Sequence, residues 1–242
     1  MNIVISPYTT PSFNLSTEEY LFSNKTEDFL FLYVNDPSVI IGSNQAVLNE
    51  VDIDFCIDKG IFVIRRLSGG GAVYHDSGNL NYSFIHNKTD EPLSANFLTP
   101  IVDTLYTLGI PVNIGKRKDI WLEGYKISGT ASHVSRGREL HHGTLLYDAD
   151  LGVLQKALSS KQKNIIKRAT ASVPSPVINI KTYLLKKCGN APDTNEFLEI
   201  IKERLLAYFN IDVMFKLQKE DIESIEELRK SKYIQRSWNF KM

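Results

Sequence analysis

Three consecutive glycines, Gly69-Gly70-Gly71, separate two apolar, strand-like segments at residues 61–66 and 72–74. A helix or an interior strand tolerates such a run poorly, because glycine loses more backbone freedom on ordering than any other residue and brings nothing to pack. The chain is therefore expected to turn here with its backbone bare. Bare backbone takes positive φ easily and lets a ligand approach closely, and successive N–H groups in such a turn form an anion-binding nest. Arg65 and Arg66 precede the glycines and face opposite sides of a regular strand. One of them can then reach a carboxylate or phosphate while the other packs elsewhere. Glycines alone would suit a plain hairpin. The arginine pair, Ser68 and the following His75-Asp76-Ser77-Gly78-Asn79 make the segment look like a binding loop. It is neither a Walker P-loop, which needs Lys-Ser/Thr after the glycines, nor a Rossmann turn, which needs a helix there.

Around this loop the pattern alternates. Residues 29–34, 39–41, 80–85, 112–114, 120–122, 125–128 and 140–147 read as strands, the first two joined by Asn35-Asp36-Pro37. Ser16-Thr17-Glu18-Glu19 reads as a capping box. Helices are expected at 52–59, 96–108, 182–187, 195–209 (capped by Asp193) and 222–230, with a late strand at 213–217. The fold class is therefore α+β, with a mixed, mostly antiparallel sheet flanked by helices.

The composition narrows the function classes. Twenty-eight basic and 28 acidic residues give a formal net charge of zero, so no global field points to nucleic acid, and any anion chemistry rests on local basic clusters. The amino-terminal segment lacks a signal-peptide pattern, and no apolar run approaches a membrane span. The expected setting is cytoplasmic, with neither membrane nor nucleic acid as partner. Cys56 and Cys188 cannot form a disulfide framework, and no histidine spacing announces a catalytic metal site.

The glycine segment RRLSGGGAVYHDSGN resembles the signature of lipoate–protein ligases. Three further segments agree: Lys126-Ile127-Ser128-Gly129-Thr130-Ala131, the strand His141-His142-Gly143-Thr144-Leu145-Leu146, and the pattern Asn14–Glu19 followed by Ile41–Gln45. The resemblance runs from about Asn14 to Trp238 and implies the fold shared with biotin–protein ligases. It implies a single catalytic domain over residues 1–242, without the small C-terminal domain that many members carry. The implied activity is ATP-dependent conversion of lipoate to lipoyl-AMP, followed by transfer to a lysine of a lipoyl domain. Such domains belong to 2-oxoacid dehydrogenase acyltransferase subunits and to the glycine-cleavage H protein.

This chemistry has a physical requirement. Carboxylate and α-phosphate repel, so a fixed cation and oriented N–H groups must bring them together. The resemblance places the essential lysine at Lys126. The implied binding residues are Arg65, Arg66, Ser68, Gly69, Gly70, Gly71, Ala72, His75, Asn79, Asp119, Ser128, Gly129, Ala131, His142, Gly143 and Thr144. His141 and His142 face opposite sides of a strand, so at most one of them lines the pocket. ATP implies Mg²⁺, for which Asp119 is the candidate ligand. One departure stands out. Where the family carries arginines in a Ser-x-Arg loop, this chain has Ser172-Val173-Pro174-Ser175-Pro176, leaving Lys167 and Arg168 as substitute cations. Two alternatives stay open at this point: a lipoyl or octanoyl transferase using a pre-activated donor, and a catalytic subunit that adenylates only with a separate accessory chain. A thioester route would need a cysteine in the pocket.

Overall fold

Among the described residues, eleven strands form three sheets. The computed structural model describes residues 1–162, 166 and 168–241. The first strands are β1 (Asn2–Ile5), β2 (Phe29–Val34), β3 (Ser38–Ile41), β4 (Phe62–Arg65), β5 (Val73–His75) and β6 (Asn79–Asn87). They are followed by β7 (Asn113–Ile114), β8 (Ile120–Leu122), β9 (Tyr125–Ser128), β10 (Thr130–Ser135) and β11 (Arg138–Leu146). The helices are α1 (Pro11–Asn24), α2 (Val47–Glu50), α3 (Ile53–Asp58), α4 (Thr99–Thr107), α5 (Leu151–Ala157), α6 (Ile180–Cys188), α7 (Thr194–Tyr208), α8 (Lys219–Leu228) and α9 (Arg236–Asn239). Among the described residues no helix is long and apolar enough to cross a membrane.

The largest sheet has the order β1-β2-β6-β11-β10 and is antiparallel except for the parallel β1–β2 pair. Leu30, Leu32, Tyr82 and Phe84 pack one of its faces against Leu105 of α4 and Phe197, Ile201 and Leu205 of α7. Phe29, Phe31, Tyr33 and Ile85 pack the other against Leu21 and Phe22 of α1. Burial on both faces explains why β2 reads as an unbroken apolar run, FLFLYV, without alternation. Each such side chain contributes about 1.5–3 kcal/mol on burial. The second sheet, β4-β3-β5, carries the glycine loop between β4 and β5. The third, β7-β8-β9, carries Lys126.

Three local expectations give way. Residues 35–37 do not close a hairpin: β2 and β3 lie in different sheets. The buried Asn35 directs this crossing through its side-chain bonds to Asn14 and His75. Ser16–Glu19 is no capping box, because α1 already begins at Pro11; Ser16 and Thr17 instead donate back to the carbonyls of Ser12 and Phe13. Residues 213–217 are irregular, although the Phe215 N–H donates to the Ile3 carbonyl at 2.9 Å. The strands β1 and β10 are additional. β10, with the sequence TASHVS, is a half-buried partner of β11 at the sheet edge and too polar to stand out as a strand.

Candidate active site

A cavity of about 300 Å³ lies between the glycine loop, the β9–β10 corner, β11 and residues 170–173. Its floor is shaped by one buried side chain. Arg66 donates from Nε to Ser68 Oγ (3.0 Å), from Nη1 to the Ile40 carbonyl (3.0 Å), and from Nη2 to the carbonyls of Gly69 (2.6 Å) and Gly71 (2.8 Å). The guanidinium therefore ties the loop from inside and leaves positive potential under it. Burial pulls it down to about 10, still charged near neutrality. Gly70 sits at φ +86°, and a Cβ there would meet Arg66 Nη2 at 3.1 Å and the Ala131 methyl at 3.4 Å. A Cβ at Gly42 would collide with the Gly70 carbonyl.

The loop is braced from β11 and α1. His142 Nδ1 lies 2.8 Å from Glu18 Oε1, and its Nε2 lies 2.7 Å from Ser68 Oγ. The carboxylate can only accept, so Nδ1 carries the proton and Nε2 accepts from Ser68. Burial works to raise the Glu18 carboxyl, but His142, Ser83 and Arg66 together hold it below its ordinary value. A second relay ends in the cavity wall. Asn14 Nδ2 donates to Asn35 Oδ1 (2.9 Å), which leaves the Asn35 amide nitrogen facing His75 Nδ1 at 3.0 Å. His75 Nδ1 therefore accepts, and its buried Nε2–H has no partner. Burial, then the charge on Arg66, push His75 down to about 3, so it is a neutral donor at the cavity.

The cationic end is built by the third sheet. Lys126 Nζ lies 3.4 Å from Asp119 Oδ2, and Arg117 Nη2 lies 3.7 Å from the same oxygen. Burial lowers the Lys126 ammonium and Asp119 opposes that shift. Both Asp119 oxygens are buried, and burial works to raise the carboxyl, but Trp121 and Lys126 hold it below its ordinary value. Residues 170–177 form a strap: 170–173 line this cavity and 172–177 line an adjoining one. The Lys126 N–H donates to the Pro176 carbonyl (2.8 Å), and the Ile178 N–H donates to the Lys126 carbonyl (3.3 Å). Ser172 Oγ accepts from the Ala72 N–H (2.9 Å) and from Gln45 Nε2 (3.1 Å). Arg117 Nη2 donates to Ser175 Oγ at 3.2 Å.

Of the residues singled out in the sequence, Arg66, Gly70, Gly71, Ala72, His75, Asp119, Lys126, Gly129, Ala131, His142, Gly143 and Thr144 line this cavity. His141 is absent from it. Arg65 is also absent. Fully buried, it donates to the carbonyls of Gly42, Ser43, Gln45, Trp238, Asn239 and Lys241, because its side of β4 faces the last turn of the chain. Ser68, Gly69 and Asn79 stand behind the wall: Ser68 braces the loop, the Gly69 carbonyl takes Arg66, and Asn79 holds Asn81. Ser128 borders an adjoining cavity of about 550 Å³ that shares Lys126, Gly129, Thr144 and Ser172 with the first. Arg168 is exposed and borders neither cavity, and Lys167 lies outside the described residues. Sequence reasoning missed Glu18, Arg117 and Ser172 as site residues. Arg117 stands two positions before Asp119 in the basic run Lys116-Arg117-Lys118, and that run is its signal.

Residues 10–206 match the family described as the lipoyl protein ligase A/B catalytic domain. The chain belongs to this family. The lipoate–protein ligase LplJ of Bacillus subtilis is 37% identical to this ligase over 237 residues, which cover 95% of this chain and 70% of that protein. Among solved structures, a bi-partite lipoate protein ligase from Thermoplasma acidophilum, described with its E2 lipoyl domain, superposes with a TM-score of 0.80. It is 26% identical and covers 98% of this chain and 94% of its own. A lipoate–protein ligase A bound with ATP superposes at 0.78, with 26% identity and coverage of 99% and 97%.

Proposed function

We propose that this ligase converts lipoate and ATP to lipoyl-AMP and then transfers the lipoyl group to a lysine of a lipoyl carrier domain. The observation that carries this reading is the mixed lining of one cavity. Leu15, Ile40 and Val73 offer apolar surface, and Lys126 and Arg117 offer cations at the same cavity. An acyl chain ending in a carboxylate matches that lining. In the first step a lipoate oxygen attacks the α-phosphorus and pyrophosphate leaves. Lys126 draws the two anions together, and the bare glycine backbone allows close approach. In the second step the carrier amine attacks the acyl carbon and AMP leaves.

Magnesium fits the residues present. Asp119 offers a buried carboxylate whose partner is the Lys126 ammonium at 3.4 Å, beside the cations that would meet phosphate. Mg²⁺ keeps several waters and needs only one or two carboxylates beside the phosphates. When bound it supplies neutralising charge to the leaving pyrophosphate. Arg117, tied to Ser175 on the strap, supports nucleotide binding where the strap itself offers Val173 and Pro174. The proposed acceptors are the lipoyl domains of 2-oxoacid dehydrogenase acyltransferases and the glycine-cleavage H protein, and residues 1–242 act as the catalytic domain. The T. acidophilum relative is bi-partite and is described with an E2 lipoyl domain, which favours testing an accessory chain as well.

The test is lipoate-dependent ATP–pyrophosphate exchange, together with lipoyl-domain modification from ATP plus lipoate and from supplied lipoyl-AMP. Lys126→Ala is expected to slow both steps by about 10²–10³ while keeping the fold. Normal ligation by that variant would remove Lys126 from the mechanism. Modification from lipoyl-AMP alone would assign adenylation to a partner chain.

A further inference from the structure

Away from the ligase cavity, β6 and β11 bring two imidazoles and a carboxylate to one spot. Glu139 on β11 stands opposite His86 on β6, and His141 follows two residues along β11 on the same face. One ligand atom from each of the three lies within 4.8 Å of the others. Glu139 and His141 are buried, and His86 is partly exposed.

The outer atoms of all three groups are already held. His86 Nδ1 lies 2.8 Å from the Asn87 carbonyl, which only an N–H can satisfy, so Nδ1 donates and Nε2 keeps its lone pair. His141 Nδ1 lies 2.8 Å from Ser132 Oγ, while its Nε2 lies 2.9 Å from Glu139 Oε2. Glu139 Oε1 accepts from the Thr89 N–H at 3.0 Å, and Oε2, the oxygen that faces His141, also accepts from the Leu93 N–H at 3.1 Å. Hydrogen bonds of this kind, from the far nitrogen of an imidazole and the back of a carboxylate, fix tautomer and aim in metal sites.

We propose that His86, Glu139 and His141 bind one divalent transition metal ion, with zinc the first candidate. Two neutral imidazoles and one carboxylate suit Zn²⁺ better than the harder Mg²⁺ or Ca²⁺. On binding, the one proton of His141 moves from Nε2 to Nδ1, where Ser132 Oγ accepts it, and Nε2 is freed for the ion. A fourth position opens to the cavity that Asp90 and Glu91 also line. Because Glu139 also holds the N–H groups of Thr89 and Leu93, the ion would pin the segment after β6 to the sheet. His142, the next residue, turns to the opposite side and lines the ligase cavity, so the ion would not touch the acyl-transfer groups.

The experiment is calorimetric titration of the untagged, chelator-stripped full chain with Zn²⁺, with Co²⁺ absorption as a second readout. One equivalent is expected to bind to the wild type and to raise its melting temperature. His86→Ala, at a partly exposed position, should fold, keep lipoylation and lose the binding and the thermal shift. Ser132→Ala should weaken binding by roughly 10–100-fold. Absence of stoichiometric binding, equal affinity in His86→Ala, or binding lost instead in Cys188→Ser would each overturn the proposal.

Discussion

His75 makes a quantitative prediction about acid stability. In the unfolded chain its imidazole titrates near about 6.5. In the fold, burial and Arg66 push it down to about 3. Between those values the unfolded chain binds a proton that the native protein refuses, so stability is full above the unfolded value and declines as pH falls. From about pH 7 to about pH 5 the loss attributable to His75 is about 2 kcal/mol, at ~1.36 kcal/mol per pH unit below the unfolded pKa. The native value lies well below this window, so the unfolded value sets the result. His75→Gln replaces the imidazole by a neutral amide and removes the titration. Urea unfolding of both proteins at the two pH values gives the comparison. His133 and His141, also lowered by burial, contribute equally to both proteins and cancel. A wild type and a His75→Gln variant with the same loss across the window would refute the reasoning and mean that native His75 accepts a proton.

Arg65→Leu leaves six carbonyls without a buried cationic donor and should cost roughly 3 kcal/mol or more in denaturant unfolding, given about 1.5–3 kcal/mol per charge-assisted bond. A neutral result would mean that water replaces the guanidinium. Gly70→Val forces a β-branched residue to φ +86° against Arg66 and should weaken lipoyl-AMP binding in calorimetry; unchanged affinity would make the loop a simple turn. Cys56→Ala combined with Cys188→Ser should retain lipoyl transfer, because neither sulfur borders the cavity and burial pushes the Cys56 thiol up to about 11. Loss of transfer, with a trapped thioester in wild type, would favour an acyl-enzyme.

The sequence was legible where local chemistry and tertiary role agree. Asp193 with Glu196 signals the start of α7, and the capping box is present. The glycine run signals a turn, and Gly70 has positive φ. The sheet partition was not legible, because β2 and β3 are both continuous apolar runs and nothing in their composition says which neighbours they choose. The two arginines show the same limit. Alternation puts them on opposite faces, but only the packing of residues 238–241 decides that Arg65 is the inward clamp and Arg66 the floor of the cavity. Glu18 was hidden because the capping box was placed too late. Inside α1 it is a buried carboxylate held by His142, 124 residues away in sequence.

The strap also bears on how this active site can diversify. Its attachment to β9 runs through the Pro176 carbonyl and the Ile178 N–H, and Ser172 is its side-chain tie to the glycine loop. At position 176 the pairing asks only for an acceptor, and proline retains its carbonyl while lacking an N–H. Positions 174 and 176 can therefore exchange charged for uncharged residues with the attachment unchanged. On the proposed function, nucleotide affinity can drift by substitution in the strap, while the cavity floor, tied through Arg66, stays under separate constraint.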